Sequence, residues 1–571
     1  MRYFTIIFAF IFTSCLNKFP DSVSIDSEID PVFLNKKYVS EINLNEFNEI
    51  GKIYYFIKVW GFLKYNADIN SVDLDWDEYY VKNIDNVSKL NREEFLIFIN
   101  NTINIFPLPS EISSKNKLKN YSLIDNNWFN NDLYFDEIIC KKLKKIFENK
   151  DDNSNEYLSQ TNTGVVKLDN EKNYSEIEFP NKKIRLLGLS RYWNFINYFY
   201  VYKNDMDENW DKILLESIEK FISVKNTADY HLATVWLTSK LYDCHSITDS
   251  KILDKEIYGR FTPNFRVKLI DTTFIVTKIR VEKINNQKVK VGDIILKIND
   301  IDIRKKYMFY DSIMNGANIL SEQRIINTYL FSSTKNKIKL LILRNDKKIE
   351  IDLLLDDYSK YVDEEKKVKD KCKDSLVVKY YLKNTAYLDL EYISEDNFDK
   401  NFDNVKKYKN LILDIRNYPE SQVVLDIAKF ILPKKSDFFS SSYADISKPG
   451  LLRIHKGYKL GKDNSENYKG NVYVLANENT QSMAEFLIMA LQSSKNVKTI
   501  GSMTAGSDGN VTYFNFPGNI KTSFSGIGIY YPNFKPTQRI GVKMDIKINE
   551  SVKDIQMNRD IILLKTLELI K

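Results

Sequence analysis

The sequence places one serine, Ser482, where a nucleophile could be activated. It follows the apolar, strand-like segment 471–477 (NVYVLAN) and precedes the helix-favouring segment 486–494 (FLIMALQSS). Backbone N–H groups in the first turn of a helix can stabilise an oxyanion, which a serine nucleophile needs close by. Ser482 and Glu485 also have the Ser-x-x-Glu spacing of a capping box, in which the serine merely caps the helix. The local sequence alone favours the cap.

Histidine-dependent catalysis has three candidates, because the chain contains three histidines. His245 lies in the segment 241–246 (LYDCHS), directly after an apolar helical pattern. An imidazole with a pKa of about 6.5 can take a serine proton and return it to a leaving amine. The local sequence fits a helix-end histidine bonded to backbone at least as well. His231 lies within an apolar helix and is expected to pack, and His455 is flanked by polar residues and is expected to face solvent.

The composition excludes several classes of protein. The 83 Lys and Arg residues are interleaved with 77 Asp and Glu residues, so the formal charge is +6 without a basic stripe, and no nucleic-acid partner is expected. The histidines form no HExxH or HxH pattern, which excludes a histidine-rich metal centre but not a carboxylate site. The four cysteines fit neither a paired-Cys zinc site nor a disulfide-dense fold.

The N-terminus resembles a bacterial lipoprotein signal. Arg2 precedes an apolar stretch at 4–12 (FTIIFAFIF), which is too short to span a bilayer as a mature helix. Small residues follow and end at Cys15, the expected lipidation site. The alternative is an ordinary secretory signal with an unrelated cysteine. We expect a protein anchored to a bacterial membrane by lipid and facing the periplasm or the cell surface.

Two segments with helical periodicity, 51–84 and 183–218, look alike and predict a helical hairpin used twice for packing. Each copy has a Trp in its first helix and a Trp-Asp pair that opens the second: Trp60 with Trp76-Asp77, and Trp193 with Trp210-Asp211.

From about residue 262 the periodicity changes to alternating strands. A Gly292-Asp293 turn leads into a buried strand at 294–298, and a strand pair at 337–344 and 347–355 follows a helical stretch. This block resembles a PDZ domain, whose sheet edge captures extended peptide ends. The alternative is a small β-rich module without a ligand.

The C-terminal part predicts an α/β domain with parallel strand pairs. The charged segment 357–375 reads as a linker or an exposed helix, and short apolar strands then alternate with helices over 376–571. Loops that follow parallel strands meet at one sheet edge. Asn417 and Tyr418 follow one such strand, and the segment 502–508 follows another.

Several segments, taken together, resemble the C-terminal-processing (tail-specific) serine peptidases. They are LILDIRN, VYVLANENTQSMAEFLIMALQ, TIGSMTAGSDGN and the Gly292-Asp293 turn, in the family's order. The segment 241–246 is similar to the histidine segment of the family's histidine-using branch, which includes the tricorn-type peptidases. The resemblance implies a ClpP/crotonase-like peptidase domain in which Ser482 forms the acyl-enzyme and His245 is the general base.

The resemblance also implies an oxyanion hole and an acidic partner. Backbone N–H groups of Met483 and of the loop at Asn417 and Tyr418 would form the hole, and Asp508 is the candidate acidic partner. No metal or organic cofactor is needed.

Three departures from the family pattern keep alternatives open. Ser507 stands where the best-known members have a lysine base, Cys244 stands where the tricorn-type enzymes have a serine, and Glu420 lies where the family usually has a Gly-Gly pair. One alternative is an inactive lipoprotein that uses the peptidase fold to bind peptides. The other is a Ser–Lys peptidase, for which Lys495 and Lys498 are the nearest candidates in the sequence.

The overall expectation is a multidomain α+β serine endopeptidase of the cell envelope, acting on polypeptides. The predicted parts are a lipoprotein signal (1–15), an N-terminal region with the first helical copy (16–182), a helical segment carrying His245 (183–260), a PDZ-like domain (261–356), a charged linker (357–375) and a peptidase domain (376–571).

Overall fold

The structure is a computed structural model that describes residues 44–109, 123–149, 155–281, 288–463 and 465–571. Cys15 and the predicted signal lie outside these residues. Over the described ranges, no helix has both the length and the apolar character needed to cross a bilayer. The predicted mixture of a helical N-terminal region and a C-terminal α/β domain is confirmed.

The described residues contain sixteen α-helices, which are numbered in chain order. They are α1 (Glu49–Asn66), α2 (Trp76–Val87), α3 (Arg92–Ile103), α4 (Glu137–Glu148), α5 (Lys182–Phe199), α6 (Trp210–Ser223), α7 (Thr227–Ser239), α8 (Lys251–Leu253), α9 (Ile303–Asp311), α10 (Ile319–Leu330), α11 (Tyr358–Cys372), α12 (Phe398–Val405), α13 (Val423–Ile431), α14 (Met483–Leu491), α15 (Val552–Gln556) and α16 (Ile561–Ile570).

The strands of the same residues are also numbered in chain order. They are β1 (Leu158–Gln160), β2 (Val166–Leu168), β3 (Thr248–Asp249), β4 (Phe261–Thr262), β5 (Phe265–Ile270), β6 (Thr273–Ile279), β7 (Ile294–Ile298), β8 (Ile301–Asp302), β9 (Lys337–Arg344), β10 (Lys347–Leu354), β11 (Asp356–Asp357), β12 (Lys379–Tyr381), β13 (Thr385–Asp389), β14 (Asn410–Asp414), β15 (Ser440–Ala444), β16 (Leu452–Lys456), β17 (Asn471–Ala476), β18 (Val497–Gly501), β19 (Val511–Phe516), β20 (Ile520–Ser525), β21 (Ile527–Tyr530) and β22 (Ile546–Lys547).

The two similar segments form two matching helix pairs, α1–α2 and α5–α6. In each pair the two tryptophans exchange indole N–H bonds to each other's backbone carbonyls. The N···O distances are 3.0 and 3.1 Å between Trp60 and Trp76, and 2.8 and 3.0 Å between Trp193 and Trp210. A buried indole needs such a hydrogen-bond partner, which explains why each copy keeps both tryptophans.

Ion pairs join the two copies in a crossed arrangement. Lys58 of the first copy contacts Asp211 of the second at 2.5 Å, and Arg191 of the second contacts Asp77 of the first. Burial raises the pKa of Asp77, but the adjacent Lys64 and Arg191 outweigh that effect and hold it at about 2. The two copies therefore pack as a pseudo-twofold pair in which each supplies a base to the other's acid.

Loss of Arg191 is expected to destabilise this region strongly. The Arg191→Met variant leaves the carboxylate of Asp77 buried with a reduced positive environment, a change that typically costs about 3–5 kcal/mol. Urea denaturation of the variant measures the cost. As a control, Lys82→Met removes an exposed pair with Glu78 and should leave the midpoint nearly unchanged. Equal urea midpoints for the two variants would contradict the stabilising role of Arg191.

The block after residue 261 forms a compact module with its own core. Its antiparallel sheet has the strand order β10-β9-β7-β6-β5, with β8 paired to β7, and α9 and α10 complete it. The predicted turn is present: Gly292 adopts φ 91°, which suits glycine, and Asp293 binds the guanidinium of Arg344 at 2.6 Å. The charged segment that follows is an exposed helix, α11, rather than an unstructured linker.

The C-terminal domain is built on a six-stranded sheet with the order β12-β13-β14-β17-β18-β22. All neighbours are parallel except β12 and β13, so the predicted parallel pairing is confirmed. The first of the parallel strands, β13, ends at Asp389. The carboxylate of Asp389 accepts the N–H of Glu391, and the chain turns there into a short 3₁₀ helix.

Candidate active site

Ser482 lies at the corner between β17 and α14, as predicted. Its backbone has φ 52° and ψ −123°, a conformation that costs a non-glycine residue about 1–3 kcal/mol. The carbonyl oxygen of Ser507 accepts the Ser482 N–H at 2.9 Å. Ser482 is half-buried at the carboxyl edge of the parallel sheet, where sites in α/β folds are built.

Glu485 fixes this corner from inside the protein. Its fully buried carboxylate accepts the hydroxyl of Thr504 at 2.6 Å, the N–H of Gly506 at 2.8 Å and the N–H of Ser507 at 3.0 Å. It also accepts the N–H of Ser482 at 3.3 Å, which is the glutamate half of a capping box. Glu485, which the sequence spacing suggested only as part of a helix cap, therefore also holds the loop at 504–507 against the Ser482 corner.

Glu485 also predicts a pH dependence of stability. Burial raises its pKa from 4.5 to about 7, against the hydrogen bonds that lower it. The folded state then holds a proton that the unfolded chain releases, so the free energy of unfolding should fall as pH rises from about 4.5 to about 7. Glu485→Gln removes this titration. Urea midpoints measured across that range should decline less steeply for the variant, and identical slopes would refute the assignment.

His245 lies in the loop between α7 and β3, close to the last residue of β20. Its Nδ1 is 2.9 Å from the hydroxyl of Ser525, and its backbone N–H donates to Asp243 at 2.9 Å. Ser525 donates its own hydroxyl to Asp243 at 3.1 Å. Burial lowers the pKa of His245, and the carboxylate of Asp243 raises it in opposition.

Ser507 connects the histidine loop to the nucleophile corner. Its carbonyl accepts the N–H of Ser482, and its hydroxyl donates to Asp243 at 3.1 Å. The N–H of Cys244 also reaches the Ser507 hydroxyl at 3.4 Å. The structure thus brings the segments of His245 and Ser482 onto one shared residue, although they are far apart in sequence. Ser507 does this at the position where the lysine was expected.

The predicted oxyanion elements also meet at this corner. Met483 is the first residue of α14, and the side chain of Tyr418 lies beside it. Burial raises the pKa of Tyr418, while its contacts with the Ser482 side chain and the Met483 N–H lower it. The phenol oxygen of Tyr418 therefore lies at the donor that would bind an oxyanion. Asn417 is half-buried in the same loop.

The remaining sequence candidates have different surroundings. Asp508 is buried, and its Oδ1 accepts the N–H of Gly509 at 2.7 Å. Cys244 is a buried thiol whose pKa burial raises, and its sulfur accepts the N–H of Ala317 at 2.7 Å. Both lysines of the Ser–Lys alternative, Lys495 and Lys498, have exposed side chains.

The other two histidines behave as the sequence indicated. His231 is buried in α7 with its Nδ1 2.7 Å from the hydroxyl of Ser250, and burial lowers its pKa to about 4. His455 is exposed on β16. Within the described ranges, no three His, Cys, Asp or Glu side chains are grouped so that they could hold a metal ion.

Sequence reasoning did not single out Asp243 and Ser525. Asp243 is two residues before His245, and that Asp-x-His spacing was the available signal, because an aspartate can accept the N–H two residues on. Ser525 could not be found from the sequence. It reaches His245 only because β20 pairs with β3, directly after the histidine loop.

The chain is similar to one protein family and to several solved structures. Residues 384–548 match the model of peptidase family S41. The chain is similar to the structure of mature CPAF complexed with lactacystin, at 12% identity over 68% of this chain and 97% of that chain, with a TM-score of 0.53. It is also similar to a crystal structure of mature CPAF, at 14% identity over 68% and 96% of the two chains, with a TM-score of 0.52.

A third similar structure is the photosystem II D1 C-terminal processing protease, at 15% identity over 65% of this chain and 94% of that chain, with a TM-score of 0.39. No curated protein matches the sequence. The two CPAF structures establish a shared fold, and the family match covers Ser482, Glu485 and the loop at 504–508. Residues 384–548 are therefore a peptidase family S41 domain, and the chain is a serine-type peptidase.

Proposed function

We propose that the chain is a serine endopeptidase of the bacterial cell envelope, with Ser482 as nucleophile and His245 as general base. The observation that carries this proposal is the strained corner at Ser482, which is bonded through Ser507 to the loop of His245. A strained backbone at a helix start, tied to a buried histidine loop, is the kind of arrangement that active sites maintain.

The reaction follows from the proposed roles. His245 takes the proton of the Ser482 hydroxyl as its oxygen attacks the peptide carbonyl, and it then returns that proton to the leaving amine. The Met483 N–H stabilises the tetrahedral oxyanion once the Tyr418 hydroxyl has moved aside. A water molecule, deprotonated by the same histidine, then hydrolyses the acyl-enzyme and regenerates Ser482.

Labelling with a fluorophosphonate tests the nucleophile. The wild-type chain should be labelled at a rate well above that of the denatured chain, and Ser482→Ala should not be labelled. Ser502→Ala is the matched control, because Ser502 is a buried serine whose hydroxyl donates to Glu478 at 3.2 Å. Labelling of Ser482→Ala equal to that of the wild type would overturn the proposal.

The location and the PDZ-like role are parts of the same proposal. Lipidation at Cys15 would anchor the enzyme, and Cys15→Ser should then move it from the membrane fraction to the soluble fraction.

The module with the Gly292-Asp293 turn would bind extended polypeptide chains. Its contact with the peptidase domain supports this role: Arg324 of α10 donates to the carbonyl of Glu478, close before Ser482.

One observation favours a second candidate, an inactive peptide-binding lipoprotein. The Tyr418 hydroxyl contacts the Met483 N–H, where it would compete with an oxyanion. The two candidates differ for Tyr418→Ala. A closed but competent peptidase should gain labelling in this variant, whereas an inactive binding protein should stay unlabelled. A Ser–Lys peptidase instead predicts that labelling survives His245→Ala.

A further inference from the structure

The contacts of His245 identify a candidate for the group that orients it. Three buried side chains follow one another: the carboxylate of Asp243, the hydroxyl of Ser525 and the imidazole of His245. The distances are 3.1 Å from the Ser525 Oγ to the Asp243 Oδ1, and 2.9 Å from the Ser525 Oγ to the His245 Nδ1. We propose that Asp243, acting through Ser525, is the positioning carboxylate of the active site. This inference rests on the proposed role of His245.

The direction of the hydrogen bonds determines which nitrogen of His245 acts as base. A serine hydroxyl has one proton, and Ser525 donates it to the carboxylate of Asp243. The oxygen of Ser525 can then only accept from His245, so the proton of the neutral imidazole is on Nδ1. The lone pair is then on Nε2, which is the nitrogen that accepts a proton in this tautomer.

Asp243 is held rigidly enough to serve this purpose. Its carboxylate accepts the N–H of Ser525 at 2.7 Å, the N–H of His245 at 2.9 Å and the hydroxyl of Ser507 at 3.1 Å. The hydroxyl of Tyr200 donates to it at 3.3 Å. Several donors from different segments fix the position of this buried carboxylate, and a carboxylate so placed favours the protonated imidazole formed during catalysis.

The fold holds Ser525, on β20, next to Asp243 and His245, on the loop before β3. The hydrogen-bonded series Asp243–Ser525–His245 is called the relay below. Strand β20 pairs with β3 through Thr522 and Thr248, and the N–H of Ser523 donates to the carbonyl of Ile247 at 3.1 Å. Strand β20 also packs against the helical region, where the ring of Phe524 contacts that of Tyr200 at a centroid distance of 5.7 Å. The helical region thus positions Ser525 against His245.

The ionisable groups around His245 come from its own loop and from the helical region. Asp243 and Cys244 belong to the loop, and Tyr200, whose hydroxyl donates to Asp243, follows α5. The last residues of β20 contribute only uncharged serines and a phenylalanine. The charge of Asp243 raises the pKa of His245, so the removal of that charge should lower the pKa of this histidine.

The pH profile of fluorophosphonate inactivation, measured on the full chain in detergent, tests the relay. Asp243→Asn should slow inactivation by at least about 100-fold, since the imidazole loses both its tautomer and its stabilising charge. The acidic limb of the pH profile of Asp243→Asn should also move to lower pH, because the carboxylate of Asp243 raises the pKa of His245 in the wild type. Ser525→Ala should slow inactivation, and Ser525→Thr, which keeps the hydroxyl, should recover most of the rate.

Ser523→Ala provides the matched control. Ser523 lies on the same strand and donates to the carbonyl oxygen of His245 at 2.7 Å, so it holds the loop without touching the imidazole. This variant should leave the acidic limb in place. An unmoved limb in Asp243→Asn, or equal effects of the Ser523 and Ser525 alanine variants, would overturn the relay.

NMR titration of the His245 ring separates this inference from the proposed function. The signal is assigned by comparison with His245→Gln, since the chain has three histidines. A wild-type chain that is never labelled would refute the peptidase activity, yet the titration would still report the relay. A pKa of His245 that does not fall in Asp243→Asn, when the variant is folded, would refute the relay itself.

Discussion

Replacement of Ser482 by alanine should abolish hydrolysis of an unfolded polypeptide, with a loss of at least about 10⁴-fold in kcat/KM. The variant lacks the oxygen that forms the acyl-enzyme. The backbone bonds of the corner run through the N–H of residue 482 and stay intact. Release of peptides from a denatured, fluorescently labelled protein measures the rate.

The fold of this variant should be unchanged, which distinguishes lost chemistry from lost structure. The free energy of unfolding of Ser482→Ala, measured in urea, is expected to fall by at most about 2 kcal/mol, because the substitution removes a helix cap and a contact with Tyr418. Ser502→Ala again serves as the control and should keep its hydrolytic rate. Residual hydrolysis above about one tenth of the wild-type rate would contradict the role of Ser482.

Replacement of His245 by alanine should lower the rate of acylation by about 10³- to 10⁴-fold, because no base then takes the Ser482 proton. The wild-type rate should rise with pH through the pKa of His245. Burial outweighs the charge of Asp243 and lowers that pKa, so the midpoint of the rise should lie below 6.5. Single-turnover hydrolysis of an activated ester, followed from pH 4 to pH 8, measures both quantities.

His455→Ala is the control for this experiment. Its side chain is exposed on β16, and its removal should change neither the rate nor the midpoint. Full acylation by the His245→Ala chain would assign the base to another residue. Because Lys495 and Lys498 are exposed, a lysine in that role would have to come from elsewhere in the chain.

The elements of the fold were largely predictable because their signals are local. The short apolar runs of β14 and β17 are typical of strands buried on both faces, and the Trp-Asp starts of α2 and α6 follow from side-chain periodicity and helix capping. The crossed pairing of Lys58 with Asp211 was not predictable. It depends on how two helical hairpins dock, and sequence spacing within each hairpin does not report that.

The site shows the same division. The sequence predicted Ser482 from its place between a strand and a helix together with a family resemblance, and His245 from the same resemblance and from the scarcity of histidines. The partners of both were missed, because Ser507, Ser525 and Glu485 act through tertiary contacts. Glu485 was interpreted only as the end of a capping box, yet three of its four hydrogen bonds go to the loop at 504–507.

Mass-spectrometric trapping of the acyl-enzyme tests the central claim most directly. The wild-type chain is mixed with an activated ester substrate, quenched in acid within one turnover and digested, and the modified residue is located. We predict an acyl group on Ser482 of the wild-type chain. This group should be absent from Ser482→Ala and much reduced in His245→Ala. An acyl group on a different residue, or none on a chain that cleaves polypeptides, would contradict it.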